Sequence, residues 1–312
     1  MNKRIAIGLA IMAMAATAVQ AVTYVSATGV SANWTGTGAW GSSGGTPGSS
    51  VQGDLVKIVG GSTITLNSDI PASFALGNVQ AGEKTVAGGG NLIIDSGAYL
   101  RMLSTSTLTA GQDALGTITM NGGTVTGKTV TVSQGVTTSA GSSFTMHGGL
   151  IDIEGPLFVG KFANGSLTMD GGTIKANVIR IGDLAGTTVS SATLTGGSIE
   201  IIGSGTNGLN ITSASGVLNM GGNGQLIMAG NQWSVIEAYV NSGDITWASG
   251  SGVAGFGDKT WGNGSGSYLH TAYDAGTTKT TVWVNQTIPE PATVGMLGLG
   301  SLIVLLVRRM RG

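Results

Sequence analysis

The sequence predicts an all-β protein, a parallel, right-handed β-solenoid with coils of about 25 residues. Glycine pairs recur along the middle of the chain with spacings of 26, 23, 25 and 25 residues, at 122–123, 148–149, 171–172, 196–197 and 221–222. Around each pair, apolar residues alternate with threonine at the period of two that is typical of strands with one buried side. A repeat of this length, with glycine corners and no helical periodicity, favours stacked coils of two or three short strands.

Aligning the repeats on their glycine pairs predicts which side chains face the core. Two apolar positions precede each pair, and they read Ile118, Phe144, Leu167, Ala192 and Met120, Met146, Met169, Leu194. The apolar position after each pair reads Val125, Ile151, Ile174 and Ile199. The threonines between the first two columns should point outward, namely Thr119, Thr145, Thr168 and Thr193. The alignment slips by one residue within 218–226, which predicts a bulge or the end of regular coiling there.

The segments on either side of the clear repeats set the expected domain boundaries. Residues 57–230 are predicted to form the solenoid, after an N-terminal cap at 22–56 and before a C-terminal cap region at 231–287. The six tryptophans all lie in these flanking regions: Trp34, Trp40, Trp233, Trp247, Trp261 and Trp283. We interpret them as residues that cover the open ends of the stack, where unpaired backbone would recruit other chains. The alternative is an aromatic platform on which sugar rings stack.

Few side chains of the repeats are suited to catalysis. The position before the glycine pair is polar in successive coils, reading Asn121, His147, Asp170 and Thr195. His147 and Asp170 could pair, but no nucleophile repeats beside them. A second column, Asp152, Lys175 and Glu200, has alternating charge that should fix the register more than add stability. We therefore predict no catalytic residue.

Composition argues against several other functions. The chain has no cysteine, and its two histidines, His147 and His270, are far apart in sequence, so no metal site is predicted. Among 56 glycines, chance matches to G-x-G patterns carry no weight, and no cofactor is predicted. Charged residues make up 9% of the chain and the net charge is -1, so nucleic acid is not an expected partner.

The N-terminus has the layout of a secretory signal peptide. Lys3 and Arg4 precede an apolar run at 5–16, and small residues follow as far as Ala21. This order predicts export, with residues 1–21 removed by cleavage after Ala21. The alternative is a buried N-terminal helix.

The C-terminus combines three features in a fixed order. A Pro-Glu-Pro triplet, an apolar run and a basic cluster follow one another, as Pro289, Glu290, Pro291, then 292–307, then Arg308, Arg309 and Arg311. As a helix, the run of 16 residues would extend about 24 Å, short of a hydrocarbon core of about 30 Å. By the positive-inside rule the basic cluster should stay cytoplasmic, with the rest of the protein outside the inner membrane.

This tail, residues 288–312, resembles the PEP-CTERM sorting tail of Gram-negative bacteria, with Ile288 in place of the commoner valine. The resemblance implies that an exosortase, a membrane transpeptidase, recognises Pro289, Glu290 and Pro291 while the protein is an inner-membrane intermediate. The enzyme would remove the tail and pass the protein to the cell surface or extracellular matrix. The alternative is a permanent single-span anchor.

The middle of the chain, roughly 90–230, also resembles autotransporter-type β-helix repeats, through an apolar-Thr-apolar strand followed by Gly-Gly. That resemblance implies a surface or matrix role and no catalytic residue. We expect a non-catalytic structural or adhesive protein of the cell surface or extracellular matrix, with extracellular polysaccharide as a partner. The alternative is a β-helix lyase or hydrolase that acts on matrix polysaccharide.

Overall fold

The computed structural model describes residues 20–41, 45–84, 86–135, 140–182, 189–203, 208–212, 214–248, 259–264 and 266–286. Within these ranges the chain forms a β-solenoid of about seven turns, which confirms the predicted fold class. Most of the expected signal peptide and the whole expected sorting tail lie outside the described residues. None of the helices within the described ranges is long and apolar enough to cross a membrane.

Short strands make up most of the described chain. The first half contains β1 (Thr23–Val25), β2 (Ser31–Asn33), β3 (Leu55–Ile58), β4 (Ser62–Leu66), a 3-10 turn (Ala72–Phe74), β5 (Val79–Ala81), β6 (Gly90–Ile94), β7 (Tyr99–Arg101), β8 (Thr107–Ala110), β9 (Gly116–Met120), β10 (Thr124–Gly127), β11 (Thr129–Val132) and β12 (Ser142–Met146). The second half contains β13 (Leu150–Ile153), β14 (Pro156–Val159), β15 (Gly165–Ala176), β16 (Val178–Ile181), β17 (Ser190–Ile201), β18 (Leu209–Ile211), β19 (Gly216–Met220), β20 (Gln225–Ala229), α1 (Trp233–Ser242), β21 (Ile245–Trp247), β22 (Lys259–Gly262), β23 (Ser267–Asp274) and β24 (Lys279–Gln286).

The coils are three-sided, and each side is a parallel sheet. Face A consists of β2, β4, β6, β9, β12, β15, β17, β19 and β21. Face B consists of β7, β10, β13, β15, β17 and β20, because the long strands β15 and β17 bend around the corner and contribute to both faces. Face C consists of β1, β3, β5, β8, β11, β14, β16 and β18.

The predicted register of the repeats is confirmed. Met120, Met146, Met169 and Leu194 are partners on successive coils, and so are Val125, Ile151, Ile174 and Ile199. All of them are buried, together with the column of Ile118, Phe144, Leu167 and Ala192. These columns belong to one continuous hydrophobic core inside the solenoid. Parallel pairing with the coils above and below provides the backbone groups with partners, which keeps so glycine-rich a chain ordered.

The corner between face A and face B explains why glycines come in pairs. At Gly171, the first of a pair, an added Cβ would clash with the carbonyl oxygen of His147 in the preceding coil. At Gly172, the second, φ is +80°, a left-handed conformation that other residues adopt only with strain. A Cβ there would also lie 2.6 Å from Cε of Met146. In this pair Gly171 is needed for space and Gly172 for backbone conformation.

The predicted slip within 218–226 corresponds to an extra residue at this corner. Leu194 pairs with Met220, and Ile199 pairs with Leu226. The two residues of β17 are five positions apart, whereas their partners in the next coil are six positions apart. Face A continues its parallel stacking beyond this point, since β21 pairs with β19. Face B does not, because β20 pairs with the antiparallel strand β24, which is followed by β23 and β22.

Parallel pairing begins within the segment expected to be an N-terminal cap. Strands β1 and β2 already pair in parallel with β3 and β4. The free side of β1 is covered by the chain itself, where the amide of Gly41 donates to the carbonyl of Val25 at 2.9 Å. Trp34 and Trp40 pack edge to face beside it, with ring centroids 5.1 Å apart. This end of the stack is therefore closed by backbone pairing and by buried aromatic side chains.

The opposite end is closed differently, by helix α1 and the antiparallel strands. Helix α1 ends at Gly243, whose left-handed conformation, with φ +79°, allows its amide to bond back to the last turn. Tyr239 of this helix donates a hydrogen bond from its hydroxyl to the carbonyl of Leu209 at 3.1 Å and accepts one from the amide of Ile211 at 3.2 Å. The tyrosine hydroxyl thus makes hydrogen bonds with backbone groups of β18, the last strand of face C.

Candidate binding face

Face A presents two parallel columns of small, uncharged side chains to the outside. The first column reads Ser31, Thr63, Asn91, Thr117, Ser143, Ser166, Ser191 and Val217. The second reads Asn33, Thr65, Ile93, Thr119, Thr145, Thr168, Thr193, Asn219 and Thr246. Neighbouring members of a column are about 4.8 Å apart, the usual separation of paired strands.

The centre of the second column carries free hydroxyl groups. Those of Thr119, Thr145, Thr168 and Thr193 make no side-chain hydrogen bond within the described part of the chain. The first column is partly paired within itself, since Asn91 donates to Oγ1 of Thr63 at 3.2 Å and accepts from Thr117. Face A therefore offers a row of four evenly spaced hydroxyl groups to whatever lies against it.

A column of small residues at the start of each strand of face A supports this row, and sequence reasoning missed it. It reads Ser62, Gly90, Gly116, Ser142, Gly165, Ser190 and Gly216, all buried. At Gly116 an added Cβ would clash with the carbonyl oxygen of Ala81, so this coil needs glycine at the corner. Ser142 also accepts a hydrogen bond from the amide of Gly116 at 3.0 Å. A small residue four positions before each methionine was the available signal.

The corner between face A and face B holds the predicted pair of polar side chains. Nδ1 of His147 lies 2.9 Å from Oδ2 of Asp170, and both side chains are about half exposed. The register shifts between β15 and β17, so Asp170 lies opposite Gly196, and Thr195 is not part of the column in which the sequence alignment places it. Thr195 instead donates to the carbonyl of Met169 at 3.3 Å. No group of three or more metal-binding side chains is found among the described residues.

Face B carries the predicted column of alternating charge. Asp152, Lys175 and Glu200 are partners on successive coils, as the alignment of the repeats predicts. Glu200 forms an ion pair with Lys279, which lies on the antiparallel strand β24. The sequence repeat could not reveal this contact, because Lys279 lies outside the repeats. The charges of face B thus join the solenoid to its C-terminal region.

Face C is partly covered. Thr109 and Thr131 are partners on β8 and β11. Both occupy outward positions, because they alternate with the inward-facing residues, yet both are buried. Phe158 continues their column and is flanked by two cations, with Nζ of Lys161 4.9 Å and Cζ of Arg180 5.7 Å from its ring centroid. Of the three faces, face A therefore has the longest uncharged outer surface.

The predicted processing residues lie at the ends of the chain. Ala21 is exposed and precedes β1. The sorting triplet, Pro289, Glu290 and Pro291, and the basic flank, Arg308, Arg309 and Arg311, are outside the described residues.

Comparison with known proteins characterises the C-terminal tail. No curated protein and no solved structure matches the chain. The family model of the PEP-CTERM protein-sorting motif matches residues 287–311, the segment in which the sequence showed the Pro-Glu-Pro triplet, apolar run and basic cluster. The chain therefore carries, at its C-terminus, the motif of exported proteins that are exosortase substrates.

Proposed function

We propose that this protein is a non-catalytic structural and adhesive component of the cell surface or extracellular matrix. In this role the solenoid is a rigid spacer, and face A is its contact surface for extracellular polysaccharide. The observation that carries the proposal is the pair of uncharged columns along face A, with the free hydroxyls of Thr119, Thr145, Thr168 and Thr193 at its centre.

The chemistry of face A favours a polymer that is itself rich in hydroxyl groups. A single exposed hydrogen bond adds little to binding, because it replaces one already made to water. A repeating polymer meets many equivalent positions at once, and multivalent attachment raises the overall affinity without any new kind of contact. The regular spacing of the threonines suits such a partner better than a compact ligand.

Delivery to the surface would depend on the tail. The exosortase would recognise Pro289, Glu290 and Pro291 and remove the segment that follows, releasing the solenoid from the inner membrane. Deletion of residues 289–312, or Glu290→Ala, should change the destination of the protein and leave its fold intact. Cell fractionation measures this. An intact tail on wild-type protein that stays in the inner membrane would favour a permanent anchor.

Retention by the native matrix tests the adhesive role. Full-length wild-type protein should be retained on matrix polysaccharide, and the double variant Thr145→Lys with Thr168→Lys should be lost from it, because two bulky charges interrupt the centre of face A. The matched control is Thr126→Lys, an outward position of face B on the β10 strand. Equal retention of all three proteins would contradict a contact through face A.

A catalytic role is tested separately. Incubation with acidic and neutral polysaccharides should release no new reducing ends and no unsaturated uronates. Asp152 lies on face B beside Lys175 in the next coil, without a second carboxylate at the matching position. Turnover that disappears in Asp152→Ala would overturn the non-catalytic proposal and favour a polysaccharide lyase or hydrolase.

A further inference from the structure

A groove lies at the C-terminal end of face A, where the second outward column ends. It is lined by Thr193, Thr195, Asn219, Met220, Gly221, Gly222, Thr246, Trp247 and Ala248, and it has a volume of about 420 Å³. Small-molecule sites in proteins span about 300–1,000 Å³, so the groove has room for a ligand of modest size. No lining residue is charged.

The groove exists because the repeat is interrupted there. In the central coils the inward positions on either side of the corner are five positions apart, but Met220 and Leu226 are six positions apart. The extra residue lies at this corner, beside Gly221 and Gly222, which line the groove. Strand β21 then continues face A for one more coil, while face B changes to antiparallel pairing, so face A extends past the corner.

Polar groups from three successive coils converge on the groove. Oγ1 of Thr246 donates a hydrogen bond to Oδ1 of Asn219, which leaves the amide NH2 of Asn219 as a donor. The hydroxyl of Thr193 makes no hydrogen bond within the described part of the chain. Thr195 donates to the carbonyl of Met169 and keeps its capacity to accept. The groove thus offers both donors and acceptors, all of them neutral.

Trp247 is the one aromatic residue among those that line the groove, and it lies on the inward side of β21 as the partner of the buried Met220. It is half-buried, and its Nε1 donates to the carbonyl of Ser267 at 3.3 Å. Its own carbonyl accepts from Nδ2 of Asn263 at 3.3 Å, so both its side chain and its backbone are held. Trp247 also packs against the hydrophobic core, so it holds this wall of the groove in place.

We propose that this groove binds one sugar unit of a neutral glycan. The inference rests on the proposed function and deepens it, since it assigns a specific sugar-binding site to a surface otherwise described as a repetitive contact. The amide of Asn219 and the hydroxyl of Thr193 contact sugar hydroxyls. An acidic sugar is disfavoured, because no lining residue carries a positive charge to offset its carboxylate.

Calorimetric titration of the full-length protein with cellohexaose, maltohexaose and a hexagalacturonate tests the groove. We expect one of the neutral probes to bind and the acidic probe not to bind. Asn219→Leu and Thr193→Val should each weaken binding by about tenfold, the equivalent of about 1.4 kcal/mol. The matched control is Thr126→Val, an outward threonine of face B three coils away, which should bind as the wild type does. Thermal melts of each variant establish that the fold is retained.

The outcomes separate the groove from the wider proposal. If the wild type is retained by native matrix but Asn219→Leu and Thr193→Val bind the neutral probe unchanged, the groove site is wrong and the adhesive role stands. Equal loss in Thr126→Val and Thr193→Val would also overturn the groove, because Thr126 lies on face B, three coils away. Preference for the hexagalacturonate, or no binding of either neutral probe, overturns it as well. Absence of retention by matrix of any composition overturns the proposed function itself.

Discussion

Face A and face B are built from the same coils, yet they present opposite chemistry. On face A the outward columns are uncharged, and the central threonine hydroxyls lack partners in the described chain. On face B the outward column carries Asp152, Lys175 and Glu200, and Glu200 pairs with Lys279 of the antiparallel strand β24. The ion pair of Glu200 thus links face B to the C-terminal strands, whereas the polar groups of face A remain available to bind a partner. The difference supports the proposal that face A is the contact surface.

A charged substitution at an inward position should destabilise the fold strongly on either face. This is the largest expected effect. Ile174→Asp places a charge in the buried column of face B, where it has no partner, and should cost several kcal/mol of unfolding free energy. Thr168→Asp, outward on face A, should cost no more than about 0.5 kcal/mol. Urea unfolding of both variants measures the contrast. Equal unfolding free energies for the two variants would show that the register differs by one residue. The charged column and the His147–Asp170 pair would then be wrong as well.

Replacing a glycine at the corner between the two faces should cause the next largest loss of stability. At Gly172, Ala would have to adopt φ near +80°, with its Cβ 2.7 Å from the carbonyl oxygen of Gly149. We expect Gly172→Ala to cost about 1–3 kcal/mol of unfolding free energy, the usual cost of such backbone strain. Gly148→Ala is the matched control, since its nearest atom, the carbonyl oxygen of Asn121, would be 3.3 Å away. Similar melting temperatures for both variants would contradict a glycine requirement at the second position.

The link between face B and β24 should contribute less. Lys279→Met removes the partner of Glu200, whose side chain is 19% exposed, and should cost up to about 1 kcal/mol of unfolding free energy at low salt. High salt should reduce the difference from the wild type, because ions screen exposed charges. Lys128→Met is the control, as its pair with Glu154 is longer, at 3.7 Å, and more exposed. A larger loss in the control would contradict a linking role for Lys279.

A pH effect confined to the antiparallel extension of face B should be the smallest. Burial lowers the pKa of His270, which stacks on Trp283 and shares a hydrogen bond with Thr260. Below the unfolded-state pKa of about 6.5, the unfolded chain takes up a proton that folded His270 resists, so stability present at neutral pH is lost as the pH falls. Unfolding of the wild type and of His270→Gln, measured at about pH 7.5 and pH 5, should show a steeper decline in the wild type. Parallel declines would assign the pH dependence to other groups.

The sequence by itself determined the central coils and the nature of the tail. Parallel coils of nearly constant length repeat the same environment every turn, so Met146, Ile174 and their partners carry the register in their spacing alone. The sorting triplet acts as a linear motif, and its match requires no folded context. The outward column of face A was likewise predictable, because threonine alternates with apolar residues in each repeat.

Only the tertiary structure decided how the coils end and where the groove lies. The first coil, with β1 and β2, escaped sequence reasoning because 32 residues separate Thr23 from its partner Leu55, a longer interval than that of the clear repeats. The antiparallel strand β24 brings Lys279 to Glu200 across 79 residues, a contact that no repeat encodes. The groove combines Thr193, Asn219 and Trp247 through one extra residue at a corner. Periodic sequence specifies periodic structure, whereas caps and sites arise where the period is broken and packing between distant segments decides the geometry.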